Sequence, residues 1–183
     1  MEGKVIAVAG QIASGKTTLA KYLEETGFWR IVTYTTRPPR ENEINSVHYY
    51  FLTETEFLER VEECFFAEYT EYNADFGHCY YGTARYNLET PGGVNKVIVL
   101  NPQGVISLKK SGYDIFTVCL DFDQVTLMRR ALNRGDSPVE ITRRIMADAH
   151  SFDRMKLDGF IDLHITNPEL LPQQIAEMIQ NSI

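Results

Sequence analysis

The chain has 183 residues, 44% of them hydrophobic and 23% charged, and a formal net charge of −7. That is the size and balance of one globular domain able to bury its own core, with room for a small inserted subdomain. An acidic balance without a basic stretch argues against sequence-independent nucleic-acid binding, and no apolar run reaches the roughly 20 residues that cross a bilayer.

Three widely spaced cysteines, Cys64, Cys79 and Cys119, argue against a disulfide scaffold or a zinc site. His78-Cys79 reads as a loop histidine beside a semi-buried thiol. The start of the chain lacks a basic-then-apolar leader pattern. The expected compartment is therefore the cytoplasm, and the expected assembly a monomer or a homodimer.

In chain order, residues 4–9 are almost wholly apolar and read as a buried strand. Residues 15–25 read as a helix closed by Gly27. Residues 28–35 are rich in β-branched and aromatic side chains and read as one strand. Residues 36–43 must be irregular, because Pro38 and Pro39 fix φ and remove donors. Residues 49–52 read as a short strand. Thr53-Glu54-Thr55-Glu56 is a capping box opening a helix to about Glu62, with Phe57, Leu58 and Val61 on one face. Residues 65–72 and 80–83 read as strands joined by a turn over 73–79, and residues 83–88 as a weak helical stretch.

After the turn at Pro91-Gly92-Gly93, residues 96–100 form another apolar strand, and 102–110 a helix stopped by Gly112. Residues 113–120 read as a strand, and Asp123 caps a helix running to Asn133. Pro138 and Gly135 break that helix. Residues 139–155 form the next one, with Ile141, Ile145 and Ala149 at helical spacing. A last strand covers 160–165. A last helix starts at Pro168, with Leu171, Ile175 and Met178 in line as core packing. Strands alternating with helices give an α/β fold with a parallel sheet and right-handed crossovers. Residues 34–82 depart from that rhythm and read as a small inserted subdomain placed across from the loop described next.

Between the first strand and the first helix stands Gly10-Gln11-Ile12-Ala13-Ser14-Gly15-Lys16-Thr17-Thr18. The spacing G-x-x-x-x-G-K-T in strand–loop–helix context is that of a phosphate-binding loop. Gly10 and Gly15 permit backbone angles and close approach that a Cβ would block. The loop N–H groups and the positive end of the helix then face a polyphosphate. The expected binding set is Gly10, Ala13, Ser14, Gly15, Lys16, Thr17 and Thr18, with Lys16 reaching the β- and γ-phosphates and the Thr17 hydroxyl ligating Mg²⁺. The arginines are also clustered: Arg37 with Arg40, then Arg129, Arg130, Arg134, Arg143 and Arg144. In an acidic protein such clusters point to a compact polyanion such as phosphate.

A phosphate loop alone does not choose between kinases, other nucleoside triphosphatases and motors. The inserted segment narrows the choice. It carries Thr33-Tyr34-Thr35-Thr36-Arg37-Pro38-Pro39-Arg40, then Glu43, Tyr49-Tyr50-Phe51, Phe66-Ala67-Glu68 and Tyr80-Tyr81-Gly82-Thr83. In this order the set resembles the guanylate kinase family over most of the chain. The resemblance implies a three-layer P-loop fold as a single domain: a core over 1–33 and 84–183, a monophosphate-binding subdomain over 34–83, and a lid at about 133–142. It implies ATP as phosphoryl donor, Mg²⁺ as cofactor, and GMP or dGMP as acceptor. Arg37, Arg40, Tyr49 and Tyr81 would hold the acceptor phosphate. Glu68 would read guanine, Thr33 and Thr83 would add hydroxyls, and Arg130, Arg134 and Arg144 (Arg143 substituting for the last) would close over ATP. Lys16, Arg37 and those lid arginines are the expected catalytic groups.

Four departures from the family pattern are visible. The loop reads Gly10-Gln11-Ile12-Ala13-Ser14-Gly15-Lys16 where the family has G-P-S-G-x-G-K. The strand that usually ends in D-x-D-x-Q-G reads Val99-Leu100-Asn101-Pro102-Gln103-Gly104. Asn101 can hydrogen-bond a base or a metal-bound water but adds no charge. The span from Glu68 to Tyr81 is longer than usual, and Thr33 replaces a serine. These departures bear on acceptor choice more than on reaction type. The competing readings are a kinase for another nucleoside monophosphate or small phosphorylated acceptor, and a non-catalytic protein-binding module of the same fold.

Overall fold

The computed structural model describes residues 3–74 and 77–183. In chain order these form β1 (Val5–Gly10), α1 (Lys16–Glu25), β2 (Trp29–Arg30), β3 (Tyr34–Thr35), β4 (Tyr50–Phe51), α2 (Glu54–Glu62), β5 (Phe66–Ala74), β6 (Gly77–Ala84), β7 (Lys96–Val99), α3 (Pro102–Lys110), β8 (Ile115–Leu120), α4 (Gln124–Asn133), α5 (Pro138–Leu157), β9 (Leu163–Ile165) and α6 (Pro172–Gln180). Short 3₁₀ turns stand at Arg85–Leu88 and Pro91–Gly93. The chain divides into two units, Ile31–Glu89 and the residues on either side of it.

The flanking unit is built on a five-stranded sheet in the order β2-β7-β1-β8-β9, every neighbouring pair parallel. Its central strand β1 is buried along its whole length, as expected of a parallel strand covered on both faces. Ile6 and Val8 face one layer, where Leu19, Ala20 and Leu23 of α1 meet Ile175, Ala176 and Ile179 of α6. On the other side α3 lies against β1 and β8, and α5 packs on α3. That is a three-layer α/β fold.

The inserted unit has its own mixed sheet, β4-β3-β6-β5, with β3–β4 parallel and the β3–β6 and β5–β6 pairs antiparallel. Its core is aromatic. Phe57 of α2 is fully buried and stacks on Phe66 and Tyr80, with ring centroids 4.4 and 5.2 Å apart. Gly82 lies under these rings; a Cβ there would meet Phe66 at 2.8 Å and Phe57 at 2.9 Å. The capping box forms as the sequence reads, with Thr53 Oγ1 accepting from Glu56 N–H and Glu56 accepting from Thr53 N–H.

Several local readings are corrected. The single strand expected over 28–35 is two strands, β2 and β3, belonging to different sheets. The unit boundary at Ile31 falls inside that stretch, so one β-rich run serves two sheets. The turn expected over 73–79 is strand on both sides: β5 runs to Ala74 and β6 starts at Gly77, and residues 75 and 76 lie outside the described residues. His78 is therefore on a strand, 3.1 Å from Glu71, and Cys79 is fully buried. Helix α6 begins at Pro172 instead of Pro168. Leu171 and Met178 turn outward while Ile175, Ala176 and Ile179 face the core. Leu58 also points outward from α2. The final strand is shortened to β9. Residues 133–142 comprise the end of α4, a turn with Gly135 at φ +92°, and the first turn of α5. Among the described residues no helix is long and apolar enough to cross a membrane.

Candidate active site

The loop between β1 and α1 is built by three left-handed or near-left-handed residues. Gly10 has φ +152° and no room for a side chain: a Cβ would sit 2.5 Å from the Leu120 carbonyl oxygen. Gly15 occupies the N-cap of α1 at φ +97°, and Ala13 holds φ +57°. Backbone turned this way points successive N–H groups into one concavity. Helix α1 has no side-chain cap and no acid in its first turn. Its first N–H groups therefore favour an anion from outside. Ser14 Oγ is buried without a hydrogen-bond partner.

Lys16 extends back over the loop, its Nζ donating to Gly10 O at 2.8 Å and Gln11 O at 2.7 Å. Enclosure of the ammonium by protein pulls its pKa down to about 8; Asp148 opposes that shift, while Arg134 and Arg144 add to it. An arriving phosphate would restore the full charge.

A cleft of about 390 Å³ opens onto residues 13–19. Its remaining walls are Leu120, Phe122, Pro168, Leu170, Pro172 and Ile175, with Arg130 and Arg134 alongside. The combination is a polar loop-and-helix-start wall and an apolar slot. Arg130 is held in place, donating to Pro168 O at 2.7 Å and lying 5.0 Å from the Phe122 ring centre. Arg134 is ion-paired with Asp136, its Nε 3.1 Å from the carboxylate. Arg143 and Arg144 both bind Glu140 at 2.7–2.9 Å. Those hydrogen bonds, Arg143's foremost, hold the Glu140 carboxyl down at about 2 against some burial. Arg144 is thus not a wall of the cleft, although its charge acts on Lys16.

In the inserted unit the second constellation assembles on one face of the sheet. Arg37 is buried, with its guanidinium donating to Glu43 Oε1 at 2.8 Å and Pro38 O at 2.7 Å. It lies 5.4 Å from the Tyr49 ring centre. Burial works against its charge, but Tyr81 and Glu43 outweigh that and raise its pKa. Tyr49 and Tyr81 meet edge to face at 6.1 Å. Arg40 is exposed; its backbone N–H donates to Glu43 Oε2 at 2.8 Å.

Glu68 is buried and accepts a 2.6 Å hydrogen bond from Thr83 Oγ1. Burial pushes its carboxyl up to about 7, against the Thr83 hydrogen bond. A register shift explains how it comes to face Thr83. Phe66 pairs with Ala84 and Glu68 with Thr83, so two steps on β5 match one on β6. Without that bulge Glu68 would share the core-facing side of Phe66. With it, Glu68 joins the face of Thr83, and Thr70 that of Tyr81.

The structure brings together Arg37, Tyr49 and Tyr81, and Glu68 with Thr83. Thr33 is buried beside β3, its carbonyl accepting from Tyr50 N–H at 2.9 Å. Asn101 lies at the end of β7. It is the N-cap of α3, its Oδ1 accepting from Gly104 N–H at 2.6 Å. Sequence reasoning missed the pins that hold the arginine turn. Thr35 Oγ1 donates to Tyr80 O and accepts from Arg37 N–H; Thr36 Oγ1 accepts from Tyr80 N–H. The available signal was the Thr-Thr doublet directly before Arg37. It also missed the apolar slot, whose walls come from segments distant in sequence. Among the described residues no cluster of three or more His, Cys, Asp or Glu could hold a metal.

The sequence model of the guanylate kinase family matches residues 2–179. The guanylate kinase of Wolinella succinogenes is 32% identical, over 92% of this chain and 79% of its own length. That of Neisseria gonorrhoeae is 30% identical, over 99% of this chain and 98% of its own. Among solved structures, the guanylate kinase of Anaplasma phagocytophilum superposes with a TM-score of 0.72 at 23% identity, covering 98% of this chain and 84% of that one; that likeness speaks for the fold.

Proposed function

The chain belongs to the guanylate kinase family, and from that premise we propose that it transfers the γ-phosphate of ATP to GMP or dGMP, yielding the two diphosphates. The observation that carries the guanine assignment is the buried Glu68–Thr83 pair on the same sheet face as Arg37, Tyr49 and Tyr81. Ionised Glu68 can accept from the ring N1–H and the exocyclic amine of guanine. Adenine lacks that donor pair and would leave a buried carboxylate unmatched. Arg37, oriented by Glu43 and the threonine pins, offers its fork to the acceptor phosphate, and the tyrosine hydroxyls add neutral donors. Arg40 adds an outer positive charge.

On the donor side, the residue 10–18 loop and Lys16 take the polyphosphate, and the slot of Phe122, Leu170 and Ile175 takes the adenine. The attacking phosphate oxygen is already anionic, so no general base is required. What the protein supplies is alignment and charge neutralisation. Arg134 leaves Asp136 for the transferring phosphate, with Arg130 fixed beside it and Arg144 released from Glu140 as residues 133–142 close; closure also keeps water out. The Thr17 hydroxyl, which lines the cleft, would hold Mg²⁺ together with oxygens of the nucleotide, and the ion would supply neutralisation of phosphate charge. The expected compartment is the cytoplasm, which supplies ATP. All residues named come from one chain, so monomer and homodimer serve equally.

The test is an acceptor screen over ribo- and deoxynucleoside monophosphates with ATP and Mg²⁺, following diphosphate formation. Turnover confined to GMP and dGMP is expected. Turnover with another acceptor and none with guanine nucleotides would overturn the assignment.

A further inference from the structure

The family's two acidic positions at the end of β7 are Val99 and Asn101 here, and Asn101 is occupied in capping α3. Val99 offers no donor, and Thr17 is neutral. Mg²⁺ held against phosphates normally has one or two carboxylates nearby, often acting through its waters. The fold shows where one can come from. Helix α5 packs on the phosphate loop: Ile141 is buried with Ile12 and Ala131, and Ile145 and Ala13 pack against that cluster. Further along, Phe152 and Met155 are buried and Ser151 Oγ donates to Gln103 Oε1 of α3 at 3.2 Å. Ile141, Ile145, Phe152 and Met155 fall on one stripe at helical spacing, and the position that completes it is Asp148.

A half-buried carboxylate thus interrupts an otherwise apolar stripe whose first members, Ile141 and Ile145, pack against Ile12 and Ala13 of the loop. Of the charges acting on Lys16, that of Asp148 is the strongest, ahead of Arg134 and Arg144. A carboxylate at this position favours the Lys16 ammonium and can equally act on a divalent cation held by the phosphates.

We infer that Asp148 is a positioning residue for the divalent cation, holding the hydrated metal of the ATP complex from α5 in place of the acidic residues missing at the end of β7. The inference rests on the kinase reading above. The experiment is equilibrium binding of ATP by calorimetry to the full chain and to D148N and D148E, once with saturating Mg²⁺ and once with EDTA. The D148N variant is expected to bind MgATP about 10–100-fold more weakly, the range typical of lost outer-sphere metal partners. It is expected to bind metal-free ATP as well as the parent or better, because an anion beside the phosphates is gone. D148E should keep the parental preference for the Mg²⁺ complex. Equal weakening under both conditions in D148N, or an unchanged Mg²⁺ preference, overturns the inference while leaving the kinase reading standing. A parent protein that binds ATP under neither condition overturns both.

Discussion

On the function proposed above, the two units meet the same problem, holding a phosphorylated nucleotide, with opposite materials. The flanking unit uses backbone: a loop of consecutive residues, the uncapped start of α1, and arginines parked on Asp136 and Glu140. The inserted unit uses side chains: Arg37, Tyr49, Glu68, Tyr81 and Thr83, gathered from separate strands and a turn. A backbone cradle recognises charge and tolerates most substitutions around it. A side-chain site reads chemical identity, and each member is exposed to mutation. Donor binding should therefore be robust and acceptor choice fragile.

The largest expected effect tests the one side chain on which the backbone cradle depends. Lys16→Met should lower kcat by about 10³-fold or more, since it removes a charge aimed at the transferring phosphate. Its thermal melting should stay close to the parent's, because the bonds of Lys16 to Gly10 O and Gln11 O are local to the loop and burial works against its charge. A variant that keeps a tenth of parental turnover would contradict the role.

Next in size is Glu68→Gln, which should reduce discrimination between GMP and AMP by about 10²-fold or more while the KM for ATP stays within about twofold. An unchanged acceptor profile would remove Glu68 from base reading. The same residue sets a pH dependence. Its carboxyl is raised to about 7, and guanine's donors need the ionised form. The KM for GMP should be flat above pH 7 and rise about tenfold per unit well below it; in E68Q that limb should vanish. Stability runs the other way. Between the ordinary carboxylate range and pH 7 the folded state binds the extra proton, so stability is full below that window and falls as pH rises through it. E68Q should therefore melt higher than the parent at pH 8, and the gain should disappear at pH 4.

The contrast between the units also explains what was legible in the sequence. The phosphate loop is contiguous, and its residue spacing prescribes its geometry, so Gly10 to Thr18 could be read directly. The parallel sheet was legible because each buried strand is an apolar run separated from the next by a helix. The acceptor face was legible only through family resemblance, because no local pattern announces it. The bulge that turns Glu68 toward Thr83 depends on strand register, which spans 15 residues of sequence. The split of residues 28–35 between two sheets was hidden for a related reason: β-propensity reports that a strand forms, not which sheet it joins. Helix α6 misled because Leu171 stands at the N-cap, ahead of the helical turns, and the buried stripe runs through Ile175, Ala176 and Ile179. Asp148 is visible in hindsight as the polar member of the Ile141–Ile145–Phe152–Met155 stripe.

The smallest expected effect separates the two roles proposed for Asn101. Its Oδ1 caps α3 through Gly104 N–H, so Asn101→Ala should cost about 1 kcal/mol, seen as a melting point lower by about 3 °C. If capping is its whole contribution, the KM values for ATP and GMP will stay within about twofold of the parent. Asn101→Asp keeps the cap, since aspartate accepts the same bond and suits the positive helix end. That variant should match the parent's stability while returning a carboxylate to the end of β7. Should N101A instead raise the GMP KM tenfold at unchanged melting temperature, the residue belongs to the acceptor site and its cap is incidental.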